Sequence, residues 1–274
     1  MISAKKLAAK IKTTKSNITT AQLYTWNKWL AVVYAVQGVA LLILSTSKTF
    51  PLTTNYLTTD ALATESSGET VFSVATRHLA DVNMVHLVAV FLFIAAIAHA
   101  VIALWYKQRY EADLKKGVNK ARWIEHGLSA GVMLVAIGLL NGVSDLSALL
   151  MLFAFNIVMN LLGLAAELYG NAKNNHNCLV YWAGGIAGIV PWIVFAIYLV
   201  GANMHGDGAL PAFLYWIYAT MLAYFVGNAV VVLLRYKKYG KWADYLYGER
   251  VYMVVGLLAK TALAWQIFAG ILRP

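Results

Sequence analysis

The chain has 274 residues, of which 61% are hydrophobic and 12% charged, about half the charge of a soluble domain. That balance indicates an integral membrane protein with no soluble domain long enough to stand alone, and a single cysteine, Cys178, excludes an intramolecular disulfide and a thiolate metal cluster. The net charge of +10 would point to nucleic acid in a soluble chain; in a membrane protein, topology must be consulted first, because it also sorts charge.

Residues 1–23 form a basic segment without the apolar core and cleavage site of a signal peptide. It reads as cytoplasmic, either an amphipathic helix lying on anionic lipid or a solvated tail. Asn17-Ile18-Thr19 matches a glycosylation sequon, a match without meaning on the cytoplasmic side. Residues 24–274 carry seven apolar runs, at 26–46, 84–106, 123–140, 146–168, 180–202, 211–234 and 251–272. Each is near the length of a spanning helix, and none alternates with period two as a barrel strand would. The expected fold is therefore an all-α membrane protein, a seven-transmembrane-helix bundle.

The one long connection, 47–83, is rich in Thr and Ser and holds a β-branched run at 71–74, so short strands folded over one face of the bundle are expected. Lys and Arg then set the orientation. Eighteen fall before the first run or in the connections after the second, fourth and sixth; only Lys48, Arg77 and Arg273 fall on the opposite side. The N-terminus is expected to be cytoplasmic and the C-terminus extracellular. Topology accounts for the positive charge, and no nucleic-acid partner is expected.

The remaining basic residue is Lys260, nine positions into the last run, roughly 13 Å along a helix. A mid-membrane Lys costs roughly 2.5 to 17 kcal/mol, depending on the measure, and marks a functional site that needs a partner. Two acids lie in or near apolar runs, Glu125 in the third and Glu167 at the inner end of the fourth. Glu125 is the candidate partner, buried if its helix begins a few residues before the apolar run. Glu167 reads first as an interfacial acid facing basic loops. An amine held in apolar surroundings suits imine chemistry, and a protonated imine needs a carboxylate in low dielectric. His99 lies deep in the second run, as either a hydrogen-bonded structural residue or a proton-holding neighbour of Lys260. His126 adjoins Glu125, but successive helical residues point about 100° apart. No metal-ligand spacing occurs. Gly184 and Gly188 allow close helix approach, and Pro191 kinks the fifth run.

Several stretches resemble the heliorhodopsins: RWIEHGLS at 122–129, GIVPW at 188–192, RYKKYGKW at 235–242, and GERVY with LLAKTALAWQ leading through Lys260. They are scattered over most of the chain, and the orientation drawn from charge is similar to that family's. The resemblance implies a non-enzymatic photoreceptor carrying all-trans retinal on a protonated Schiff base at Lys260, with Glu125 as counterion. It places Ser129 near the imine, Met133, Trp192 and Phe225 around the chromophore, and His99 in a polar cavity on the inner side. Tyr34 stands at that cavity where the family often has His. Gly256 replaces a common Ser one turn before the Lys, His126 and Gly127 replace a Tyr-Ser pair, and Arg235 replaces a more usual Gln. The implied partners are a second copy of the chain, through the long outer loop and the fourth and fifth helices, membrane lipid, and a cytoplasmic signalling protein. Outward proton pumps commonly carry a second acid eleven positions after the counterion; here that position is Ala136, so a light sensor is expected. A light-activated proton conductance, with Glu167 at its inner mouth, is the alternative. A receptor or small transporter holding an anionic substrate at Lys260 is a third reading.

Overall fold

A computed structural model describes residues 18–173, 178–206 and 208–274. The basic stretch 1–17, with the sequon Asn17, lies outside the described residues. Seven helices are long and apolar enough to cross a membrane among those described: α1 (Thr20–Leu44), α3 (Met84–Leu104), α5 (Lys120–Leu140), α6 (Leu146–Lys173), α7 (Cys178–His205), α8 (Ala212–Tyr236) and α9 (Tyr245–Ile267). Two short helices, α2 (Ala61–Ser67) and α4 (Lys107–Lys115), lie between spans.

Polar caps, rather than the edges of apolar runs, set where the helices begin. Thr19 accepts from the Gln22 amide at 3.2 Å while the Gln22 side chain accepts from the Thr19 amide at 3.0 Å, a reciprocal box that starts α1 at Thr20. Residues 20–23, assigned from sequence to the N-terminal segment, therefore belong to the first span. Asn119 caps α5 through the Arg122 amide at 3.1 Å, three residues ahead of the apolar run. Asp244 caps α9 through the Leu246 amide at 2.9 Å, six residues ahead of the expected start. Glu249 and Arg250, read as loop residues, are thus helical, and Lys260 lies fifteen residues into its helix, roughly 22 Å rather than 13 Å. The last turn, Phe268–Leu272, winds as a π-helix, and the Leu272 carbonyl accepts from the Thr46 amide at 2.7 Å. That bond ties the end of the chain to the end of α1.

The connection 47–83 folds as an antiparallel hairpin, β1 (Thr49–Thr59) with β2 (Phe72–Asn83), α2 standing between the strands. The register pairs Thr49 with Asn83 and Thr59 with Phe72, with a bulge at Leu52/Thr53. Beyond the bulge, the Thr53 amide donates to the Ser144 carbonyl at 2.8 Å, and the Asn55 amide donates to Asp145 at 2.9 Å. The hairpin is thereby pinned to the α5–α6 turn. Its far end leaves Leu57, Phe72 and Val74 exposed.

The core runs through the facing sides of α1, α3, α5 and α9, with Leu30, Leu41, Phe91, Leu92, Ile137 and Leu263 among its buried residues. On the opposite helix faces, Val36, Ile43, Ile97, Leu161, Ile186 and Ile197 are exposed. A soluble surface does not carry so much uncovered aliphatic area; a bilayer covers it. The helices α7 and α8 touch each other sparsely, and a cavity of about 580 Å³ lies beside that gap.

Candidate functional site

The structure brings Lys260 and Glu125 together across α9 and α5. Lys260 Nζ lies 2.9 Å from Glu125 Oε1, and the two residues are 3% and 5% exposed. At that depth neither charge is tolerable alone, because an uncompensated buried ion costs several kcal/mol. Oε1 also accepts from the Ser129 hydroxyl at 2.7 Å, the i,i+4 spacing placing Ser129 one turn along the same face of α5. The other oxygen, Oε2, accepts from His126 Nδ1 at 2.6 Å. The sequence argument that adjacent helical residues diverge does not hold for this pair. Both side chains lean toward the N-terminal end of α5, and they are long enough for their tips to meet across the 100° between their Cα atoms.

A cavity of about 30 Å³ adjoins this pair, lined by Asn27, Tyr34, His99, Glu125, His126 and Lys260 among others. Its volume has room for about two water molecules. His99 Nδ1 donates to Asn27 Oδ1 at 2.7 Å, and its ring stacks on Tyr34 with centroids 5.7 Å apart. Lys260 Nζ stands 5.6 Å from the centre of the Tyr34 ring. Asn27 was missed in the sequence; a lone Asn inside an apolar run was the available signal. It also donates to the Leu23 carbonyl at 2.8 Å and to the Tyr110 hydroxyl at 3.3 Å. Outside the spans, burial pushes the Tyr110 hydroxyl up from its ordinary value, with a further push from the Glu249 charge.

Toward the starts of α5 and α9 the polar path ends in a closed ring of four charges. Arg122 bonds Glu167 at 2.6 Å and Glu249 at 3.2 Å. Arg235 reaches the same two acids at 3.2 and 3.3 Å. Glu167 also accepts from Trp123 Nε1 at 2.8 Å, and Glu249 from Asn119 Nδ2 at 2.6 Å. The Tyr252 ring lies 4.1 Å from the Arg122 guanidinium and 5.2 Å from that of Arg235. Glu167 is therefore no interfacial acid facing loops; two guanidiniums hold it between α5, α6 and α8. Glu249, 1% exposed, was missed with the early start of α9. It precedes Lys260 by eleven residues, close to three full turns, so both project from one face of that helix.

On the other side of Lys260 lies a cavity of about 580 Å³ between α5, α6, α7, α8 and α9. Met133, Trp192 and Phe225 line it together with Lys260. The Trp192 ring stands 5.7 Å from Phe225 and 5.9 Å from Tyr218. Pro191 and Gly188 lie in the same wall. A Cβ at Gly188 would come within 2.5 Å of Met159 Sδ and 2.9 Å of Phe225, so glycine is what lets α7 approach α6 and α8 there. A buried primary amine in the wall of a cavity that also carries Met133, Trp192, Phe225 and Tyr224 fits a long apolar aldehyde. Lys260 and His126 border both cavities. Ala136, where a pump would carry its second acid, is fully buried.

A family model described as Heliorhodopsin matches residues 23–272. A comparison with curated proteins gave no match.

Proposed function

The chain belongs to the heliorhodopsin family, retinal-based light-sensing rhodopsins that span the membrane several times, and on that premise we propose that Lys260 is its chromophore attachment site and Glu125 the counterion. The observation that carries this reading is the 2.9 Å Lys260–Glu125 pair at the wall of the 580 Å³ cavity. All-trans retinal bound through its aldehyde to Lys260 as a protonated Schiff base supplies the light absorption and the isomerisation.

The chain's own residues hold the charge and the proton. Glu125 Oε1 faces the Lys260 nitrogen and neutralises a positive charge there. Ser129 fixes that oxygen from one side, and His126 fixes the other oxygen. Met133, Trp192 and Phe225 give flat apolar walls that orient a long ligand and keep water away from the nitrogen. His99, tied to Asn27, and Tyr34 border the small polar cavity into which the proton leaves. Retinal added to membranes containing the apoprotein should give a visible band, and the Lys260→Ala protein should stay colourless. A wild-type protein that remains colourless refutes the reading.

A light sensor is favoured over a proton conductance by the inner ring. Glu167, the acid expected at an inner mouth, is neutralised by Arg122 and Arg235, and the ring crosslinks α5, α6, α8 and α9 where a channel would have to open. The conductance reading draws on the polar side chains running from Lys260 to Glu249. Light-evoked current under voltage clamp, reversing with the pH gradient, would establish it; silence in well-expressing cells favours the sensor.

The bias of basic residues supports a cytoplasmic N-terminus and an extracellular C-terminus, which puts the hairpin outside; tags at the two ends, probed in intact cells, test this. The exposed Leu57, Phe72 and Val74 of the hairpin support contact with a second copy of the chain, to be tested by mass in detergent or nanodiscs. A signalling partner would dock on the cytoplasmic face, beside the charge ring.

A further inference from the structure

Lys260 and His126 both border the two cavities, and the proposed chemistry has used His126 only as a prop. His126 spends Nδ1 on Glu125 Oε2, at 2.6 Å. Because a carboxylate oxygen only accepts, Nδ1 carries the hydrogen, and in the neutral ring Nε2 is then left with a lone pair. The Cε1–Nε2 edge of the ring borders the place where Gly256 has no side chain. A Cβ there would lie 3.5 Å from His126 Nε2 and 3.9 Å from Lys260 Nζ. The missing side chain therefore leaves one small space bordered by the amine on one side and an imidazole acceptor on the other.

Glu125 is the nearer group, but both of its oxygens are already engaged: Oε1 by Ser129 and Lys260, Oε2 by His126. Those donors hold the anion better than the neutral acid, so protonating Glu125 weakens the bonds from Ser129 and His126. His126 Nε2 can receive a proton while the Ser129 and His126 bonds to Glu125 are kept. The other charged or titratable groups around this space are Glu125 and Arg122 on α5, Lys260, Tyr252 and Glu249 on α9, His99 on α3 and Tyr34 on α1. From α6 only neutral Asn156 reaches the His126 segment, donating to its backbone carbonyl at 3.3 Å. His99 has its Nδ1 committed to Asn27 and its ring face to Tyr34.

We propose that His126 is the proton acceptor of the Lys260 centre, taking the proton across the gap left by Gly256. This rests on Lys260 being the attachment site. In the step, the Lys260 N–H bond breaks and its electron pair stays on that nitrogen, which becomes neutral. A new N–H bond forms at His126 Nε2, giving an imidazolium whose Nδ1–H remains on Glu125. The positive charge moves from one side of the carboxylate to the other, and Glu125 stays anionic and paired throughout.

The test uses the full chain in bilayers, labelled with ¹⁵N-histidine and loaded with retinal. Before light, the His126 signal should be that of a neutral ring protonated at Nδ1. Under illumination an imidazolium signal should rise together with the absorbance of the deprotonated nitrogen. In His126→Gln that signal should vanish and deprotonation should slow by about 100-fold, the scale of a lost general base; in His99→Gln both should persist. Gly256→Ala tests the path with little risk to folding, since its methyl sits at ordinary contact distance from His126 and Lys260; it should slow the transfer and leave the ring's state before light unchanged. Deprotonation without any imidazolium signal in the wild type, or an unaltered signal in His126→Gln, overturns the proposal. A protein that takes up no retinal at Lys260 overturns the functional reading and this inference with it, whereas a coloured protein with unchanging histidine signals overturns this inference alone.

Discussion

Replacing Glu125 by Gln removes one unit of charge and almost no volume, so its consequences can be read as electrostatics. The carboxylate oxygen stands 2.9 Å from Lys260 Nζ. With an effective dielectric constant of about 20, unit charges at that separation attract by roughly 6 kcal/mol. In a polyene bound at that nitrogen, excitation shifts positive charge away from the nitrogen, so most of this attraction is felt in the ground state only. Losing the carboxylate should therefore lower the transition energy by a few kcal/mol, a shift to longer wavelength of several tens of nanometres. The measurement is the absorption maximum of wild-type and Glu125→Gln proteins loaded with retinal at the same pH, with Ser129→Ala as a control that keeps the charge and removes one hydrogen bond at 2.7 Å. Ser129→Ala should shift the band much less. An unshifted Glu125→Gln band, or a larger shift in Ser129→Ala, would refute the counterion role.

Arg122→Ala should destabilise the protein by about 3–5 kcal/mol, since it leaves Glu167 and Glu249 short of a buried cation; Arg235→Gln should cost less, because its side chain is the more exposed of the two at 12% against 6%. Thermal unfolding in detergent checks the order, and equal effects would mean that the ring is not held mainly by Arg122. Gly188→Val should cost about 1–3 kcal/mol by overpacking and impair chromophore uptake, because its Cβ meets both Met159 and Phe225; normal uptake would show that this wall yields. Asp145 is held below the usual carboxylate range by the Ala148 amide first, then by the amides of Asn55 and Ser147. A depressed folded-state value means that its contribution is present above the ordinary carboxylate range and is lost as pH falls through the depressed value. Protection of the Asn55 amide, corrected for intrinsic exchange, should accordingly drop in acid, and Asp145→Ala should remove that dependence; a pH-independent wild type contradicts it.

The seven spans were legible because each run is near the length that a bilayer requires, and length does not depend on tertiary context. Their ends beside the charge ring were not. The segment YLYGER at 245–250 has the composition of a loop, yet it opens α9 because Asp244 caps it and Arg122 and Arg235 neutralise Glu249. That compensation comes from Arg122 on α5, 127 residues away, and from Arg235 on α8, 14 residues away across the turn, so apolar patterning could not report it. The same holds for Glu167, whose two guanidinium partners sit on helices on either side of it in the chain. The β-branched run at 71–74 did announce a strand, whereas the docking of the hairpin, through Thr53 and Asn55 of β1, depends on a turn 90 residues beyond Asn55. The Lys260–Glu125 pairing was legible because a mid-membrane amine demands an acid and few were on offer. The bond from His126 to Glu125 was not, because an argument from helical angles ignores how far two long side chains can lean.

The account turns on one covalent link. Retinal-loaded protein should be reduced with borohydride to fix the imine as a stable amine, digested, and sequenced by mass spectrometry. The account predicts a retinyl mass increment on the peptide carrying Lys260 and on no other, with no visible band in Lys260→Ala before reduction. A modified lysine elsewhere in the chain, or a coloured Lys260→Ala protein, would contradict it.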